Sequence, residues 1–196
     1  MITIKRTPIK SVFEISGVEF PDYYNIDTFR KQDTFSPVPP NDGRESSQSF
    51  FDEDSRLFIK NLADEIATKL KSMLKRSDVD SWWPMDYIEK YDMGLPDEPT
   101  KGVGHSFIID SPKFDMGYHV DNGLSLMTWI INIKDNPNAH TVYADKLNYD
   151  WKETYRGPDK KGTGMLHINR HGLYHTGLNE GNEDRAVLIG YYEIKN

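Results

Sequence analysis

Two short stretches of the 196-residue chain carry side chains suited to metal chemistry. One is Met116-Gly117-Tyr118-His119-Val120-Asp121; the other is Tyr174-His175-Thr176-Gly177, with Arg185 ten residues beyond His175. A histidine and an aspartate at i and i+2 point to the same side of an extended strand, so one cation can meet both. A second imidazole brought in from a distant strand completes a face of two nitrogens and one carboxylate oxygen. That face leaves neighbouring positions on an octahedral ion open, the arrangement expected of non-haem Fe(II) centres that activate dioxygen. An arginine near the distal histidine offers a planar fork for a carboxylate-bearing co-substrate.

Each of these residues also has a plainer reading. His119 and Asp121 would serve as a buried hydrogen-bonded pair in a sandwich core, and Arg185 as a strand arginine neutralised by Glu183 or Asp184. With six histidines and 31 acidic residues, one His-x-acid sequence is about what composition alone gives. Order, spacing and strand character carry the weight instead. Asp121 precedes His175 by 54 residues, room for several strands, and Arg185 opens the apolar run from Ala186 to Tyr192. His167, His171 and His175 recur every four residues, which on a helix would make a metal face. Gly172 and the flanking β-branched residues argue against a helix, and Ile168 stands where a thermolysin-like zinc site needs a glutamate. His171 stays open as an alternative distal ligand; otherwise His167 and His171 are outer groups around the site or exposed. His105 and His140 are read as ordinary surface or half-buried histidines.

Taken in order, His119-x-Asp121, His175 and Arg185 resemble the Fe(II)/2-oxoglutarate-dependent oxygenase superfamily, in its prolyl-hydroxylase-like or phytanoyl-CoA-hydroxylase-like members. The resemblance covers residues 103–193. It implies a mainly β fold with a supporting helix, a double-stranded β-helix of jelly-roll, cupin-like type. It implies Fe(II) on His119, Asp121 and His175, with no catalytic residue beyond these ligands. 2-Oxoglutarate would chelate the iron through its ketoacid end and meet Arg185 with its far carboxylate, with ascorbate as an auxiliary reductant. Dioxygen and an unidentified small molecule or peptide side chain would be the partners, and succinate and CO2 the co-products of a hydroxylation. Halogenating relatives have a small residue in the place of Asp121, so the aspartate favours hydroxylation. Many members carry a hydroxyl residue two positions after the arginine, where this chain has Val187. Two other classes fit the same residues: a non-catalytic cupin-like metal or ligand binding module, and a β-sandwich interaction protein.

The elements that must position these residues are legible to different degrees. From residue 103 onward short apolar, β-branched runs alternate with turn residues: His105 to Ile109, Tyr118 to Asp121 closing on Asn122-Gly123, Leu124 to Ile133, Thr141 to Tyr143, Gly164 to Ile168, Gly172 to His175 and Arg185 to Ile194. Before them, Phe58, Leu62, Ile66, Leu70 and Leu74 recur every four residues and predict a helix over 54–75, capped by Asp52 or Asp54. Ser11 to Ile15 and Gly17 to Phe20 read as short strands. Residues 36–50, rich in proline and serine, read as a loop suited to be a lid; 92–102 and 148–161 also read as loops. Ser81 to Tyr87, aromatic, is either core or a substrate wall. The expectation is one domain, with 1–102 as supporting and pocket-shaping region and 103–193 as β core.

Composition bounds the rest. A net charge of −7 with no basic cluster disfavours a grip on duplex nucleic acid. The absence of cysteine removes disulfides and thiolate ligands, and suits a reducing compartment. No run approaches the roughly 18 apolar residues of a membrane span, and Met1 to Arg6 has no signal-peptide core. The expected location is the cytoplasm. Oligomeric state has no signature in the sequence.

Overall fold

Strict alternation along the strands decides which side chains face a helix and which face a cavity. The computed structural model describes residues 1–31, 34–50, 52–78, 104–121 and 125–193. Among these the strands and α-helices are β1 Thr3–Arg6, β2 Val12–Ser16, α1 Ile26–Arg30, β3 Ser36–Val38, β4 Asn41–Ser47, α2 Glu53–Met73, β5 His105–Asp110, β6 Ser125–Asn132, β7 Ala139–Leu147, β8 Asp150–Arg156, β9 Gly164–Ile168, β10 Tyr174–Asn179 and β11 Arg185–Glu193. Antiparallel pairing assembles an eight-stranded sheet, β1-β2-β9-β6-β11-β5-β4-β3, and a three-stranded sheet, β10-β7-β8. The two sheets form a jelly roll.

On the large sheet one set of alternate residues is apolar and buried under the helices: Phe13 and Ile15 of β2, Phe107 and Ile109 of β5, Met127, Trp129 and Ile131 of β6, Leu166 and Ile168 of β9, Ala186 and Leu188 of β11. The buried face of α2 carries Ile59, Leu62, Ala63, Ile66, Ala67 and Leu70, three or four residues apart as a helical stripe requires. Asp52 caps the helix by accepting a hydrogen bond from Ser55 N at 2.7 Å. Trp129 lies directly opposite Gly190. Its indole occupies the space that a Cβ on Gly190 would need, at 2.0 Å. The other alternate set of the large sheet faces the small sheet, and it includes Arg44, Asp110, Thr128, Ile130, His167, Arg185 and Ile189.

Several sequence expectations are corrected. Residues 36–50 contain a hairpin, β3 and β4, rather than a loop. It lacks an apolar stripe because β4 is held chiefly by its backbone ladder to β5, and its prolines sit at the sheet edge and turn, where a missing N–H is tolerated. Residues 148–161 likewise include a strand, β8, whose side chains are mostly exposed, so no alternation marks it. Tyr118 to Asp121 forms only an isolated bridge, at His119. Gly17 to Phe20 is not a strand, and β1, which pairs β2, was not foreseen. The short helix α1 was also missed, although Asn25 caps it by accepting from Thr28 N at 2.9 Å. Ser81 to Tyr87, 92–102 and the Asn122-Gly123 turn lie outside the described residues. The N-terminal strands extend the same large sheet that the later strands build. Among the described residues, no helix is long and apolar enough to cross a membrane.

Candidate metal centre

His175 is the second residue of β10, and the segment before β6 runs beside that strand. Two bridges fasten it, Asp115 to Leu178 and His119 to His175. The segment holds one residue more than the stretch it opposes, and Gly117, with φ of 77°, lies in the excess. Met116 and His119, three apart, therefore both reach the cavity. At the second bridge His119 N donates to His175 O at 3.0 Å and His175 N donates to His119 O at 2.9 Å. The two imidazoles stand side by side, ring centroids 4.5 Å apart.

Asp121 completes the group. Its Oδ1 lies 3.7 Å from His119 Nε2 and 3.4 Å from His175 Nε2. One donor atom from each of the three residues falls within 4.8 Å of the others. His119 Nδ1 sits 3.0 Å from Gly117 O. It must carry the proton and donate it, which leaves the Nε2 lone pair aimed at the shared space. The second aspartate oxygen is occupied: Oδ2 accepts from Thr128 Oγ1 at 2.7 Å and from His167 Nε2 at 3.1 Å. His167 in turn has Tyr143 Oη at 2.9 Å from its Nδ1. The phenol donates to Nδ1, and the imidazole N–H donates to the carboxylate. Thus Oδ2 is committed to the protein and Oδ1 faces the imidazoles.

Protonation states match a cation site. Burial alone would push Asp121 up, but hydrogen bonds from His167 and His175 hold it well below the usual carboxylate range. Burial lowers His119 and His175, and each is lowered further by a neighbouring histidine, His175 for the first and His167 for the second. Two neutral imidazoles and one carboxylate are the ligand forms a divalent ion requires. The donor set, with no thiolate and three ligands, fits Fe(II).

These donors line one part of a cavity of about 80 Å³, and Arg185 lines another. Arg185 is 2% exposed. Its Nη1 donates to Asp110 Oδ2 at 3.0 Å and its Nη2 to Thr141 Oγ1 at 3.0 Å, while Nε is buried with no partner. Glu183 and Asp184, the neighbours in sequence, pair elsewhere, with Lys134 and Arg30. Val187 is buried beside Ile108, Ile130 and Ile189. His171 is exposed on the turn before β10. His105 is not a surface residue: it is 3% exposed and stacks on Phe50 with centroids 4.2 Å apart. Sequence reasoning missed several residues here, Thr128 and Thr141 among them. Arg44 lay in a stretch read as a loop, Tyr143 was only one residue of a strand, and Asp110 carried no motif. Only an i, i+2 reading of β5 forward from Ile108 could have marked Asp110 as inward.

No protein-family model matches the chain, and no curated protein matches it in sequence. Solved structures do match. A prolyl hydroxylase from Trichoplax adhaerens, in complex with a hypoxia inducible factor peptide fragment, aligns with a TM-score of 0.60 and 11% identity over 94% of this chain and 84% of that one. The fold is that of the 2-oxoglutarate-dependent oxygenases. SnoK, an alpha ketoglutarate dependent carbocyclase from nogalamycin biosynthesis, aligns with a TM-score of 0.56 and 13% identity over 94% and 79% of the two chains. HygX from Streptomyces hygroscopicus, solved with nickel and 2-oxoglutarate bound, gives 0.50 and 11% over 94% and 83%. Within this fold the small sheet carries His175 and the large sheet carries Arg185, so the cavity between the sheets brings together residues that are remote in sequence.

Proposed function

We propose that the chain is an Fe(II)- and 2-oxoglutarate-dependent oxygenase of hydroxylating type, with His119, Asp121 and His175 as metal ligands and Arg185 as the anchor for the far carboxylate of 2-oxoglutarate. One observation carries the reading: a single cavity holds three converging donors and also a buried guanidinium whose charge is only partly met. A β-sandwich interaction protein gives neither feature a role, and a module that binds only metal gives no role to the guanidinium. The balanced reaction takes 2-oxoglutarate, O2 and a substrate C–H to succinate, CO2 and the alcohol. Bound iron supplies the dioxygen chemistry.

The chain's own residues supply place and environment. His119, Asp121 and His175 fix the ion on one face. Thr128 and His167 hold Asp121 so that one oxygen is presented. Ile130 and Ile189 give the cavity a hydrocarbon wall beside the donors. Arg185 orients the co-substrate by a two-pronged bond that a lysine could not reproduce. The carboxylate at Asp121 leaves no place for a halide ligand, which favours hydroxylation. The similar structures include a prolyl hydroxylase in complex with a peptide fragment and a carbocyclase from nogalamycin biosynthesis, which supports keeping both substrate classes. A single domain houses the site, with Arg44 reaching it from the N-terminal region.

The test is anaerobic addition of Fe(II) and 2-oxoglutarate, followed by visible spectroscopy. A charge-transfer band that needs both, with one iron per chain, is the expected result. It should vanish in His119→Ala, Asp121→Ala and His175→Ala. Absence of the band in the wild type would remove the oxygenase reading. Iron retained by His175→Ala but lost by His171→Ala would shift the distal ligand to His171.

A further inference from the structure

Three strands of the large sheet place Arg44, Asp110 and Arg185 in one cross-strand row: Asp110 lies directly opposite Arg44 on one side and Arg185 on the other. All three are buried, at 7%, 0% and 2% exposure. Asp110 Oδ1 accepts from Arg44 Nε at 2.6 Å, and Oδ2 accepts from Arg44 Nη2 at 3.0 Å and from Arg185 Nη1 at 3.0 Å. The remaining partners are neutral: Met116 Sδ for Arg44 and Thr141 Oγ1 for Arg185. Two guanidinium charges therefore share one carboxylate, and one positive charge is left over in a buried place. An uncompensated buried charge is costly, so the arrangement calls for one monovalent anionic group.

Arg44, Gly177 and Arg185 also line the cavity that holds the three donors. Gly177 of β10 lies over the row. A Cβ there would stand 2.9 Å from Arg44 Nη2 and 2.9 Å from Arg185 Nη1. The glycine lets both guanidinium groups lie close under β10, where a larger residue would displace them.

We propose that Arg44 is a second anchoring arginine, and that the carboxylate of the co-substrate is received by the leftover charge of the Arg44–Asp110–Arg185 row rather than by Arg185 alone. This rests on the reading of the cavity as a 2-oxoglutarate site. It has a consequence that a lone anchor lacks. Without Arg44, Asp110 and Arg185 close into a neutral pair, and the anchor is lost although Arg185 is intact. Removing the Asp110 charge as well restores a net single positive charge.

The experiment uses two ligands. 2-Oxoglutarate is titrated by the charge-transfer band of the anaerobic Fe(II) protein, and glutarate, which lacks the keto group, by thermal shift of the metal-free protein. Arg44→Gln should raise both midpoints by at least about tenfold. Arg44→Gln/Asp110→Asn should return them to within about threefold of the wild type, and Arg44→Lys, which keeps the charge and loses the fork, should recover part of the loss. Midpoints in Arg44→Gln within about threefold of wild type would overturn the proposal. So would a double variant or a lysine variant as weak as Arg44→Gln, because a merely structural arginine would not be rescued by deleting a charge. If the wild type bound glutarate through Arg44 but gave no band with iron and 2-oxoglutarate, the oxygenase reading would fail and the two-arginine anchor would stand. A band whose midpoint ignores Arg44 would do the reverse.

Discussion

Replacing His167 with leucine isolates the support of a ligand from the ligand itself. In the wild type, Asp121 Oδ2 accepts two hydrogen bonds, from Thr128 at 2.7 Å and His167 at 3.1 Å. The leucine variant leaves only the first, so the carboxylate is free to turn Oδ2 toward the ion or away from it. Loss of such an outer partner costs about 10- to 100-fold in metal affinity, or roughly 1.4–2.7 kcal/mol. A second cost falls on the metal-free protein. Tyr143 is 1% exposed, and its hydroxyl would lose His167 as a partner at about 1–3 kcal/mol. Isothermal titration with Co(II) measures the first effect and urea denaturation of metal-free protein the second. His167→Gln, whose amide can donate to Asp121, should recover part of the affinity. Affinity unchanged in the leucine variant would refute the positioning role. Complete loss of metal stoichiometry would refute it from the other side, since His167 would then be a ligand.

Three further outcomes follow from other parts of the molecule. Arg185→Ala should raise the 2-oxoglutarate midpoint by at least about tenfold with little change in iron content, because breaking a buried charge pair costs about 2–5 kcal/mol, and Arg185→Lys should recover only part; an unchanged midpoint in Arg185→Ala would remove the arginine from the site. Burial holds His105 down to about 4 against an ordinary 6.5. The unfolded chain then binds more protons than the folded one between those values, so His105 should remove on the order of 2 kcal/mol of stability as pH falls from 7.5 to 5. A His105→Gln variant should show a flatter dependence in urea midpoints, and equal slopes would sink this account. Gly190→Ala should cost about 3 kcal/mol or more, since its Cβ would meet the Trp129 indole at 2.0 Å; a melting temperature equal to wild type would show that the ring can move aside.

The sequence was most readable where chemistry and burial both left a pattern. His119, Asp121, His175 and Arg185 stand out by type and order, and the near-continuous apolar runs of β5, β6, β9 and β11 mark strands buried on both faces. The stripe of α2 was legible for the same reason. Where a strand buries no apolar stripe, no pattern remains: β4 is Asn-Asp-Gly-Arg-Glu-Ser-Ser, and β8 is exposed along most of its length. That is why Arg44 was invisible as a site residue. Asp110 escaped for another reason, because its meaning lies in its two cross-strand neighbours, which are 66 and 75 residues away. His167 was left among several outer roles because a turn separates β9 from β10, so its spacing from His175 says nothing about which way either faces.

The backbone bridge between His119 and His175 has a bearing on how the centre would fare among competing ions. The two imidazoles ride on directly opposed residues that exchange both amide hydrogen bonds, a pairing whose spacing is fixed by the sheet at about 5.5 Å between Cα atoms. The frame exists before any ion arrives, so filling it requires little ordering of the chain. It fixes the number and direction of donors, and those are common to Fe(II), Co(II) and Ni(II). A frame of this kind selects a coordination geometry without selecting an element. By the usual order of affinities, Ni(II) or Cu(II) should displace Fe(II) wherever they are free in solution. On the proposed function, the resident metal would be set by cellular supply, and protein isolated from nickel-rich medium should carry nickel and show no oxygenase turnover until it is stripped and reloaded with iron.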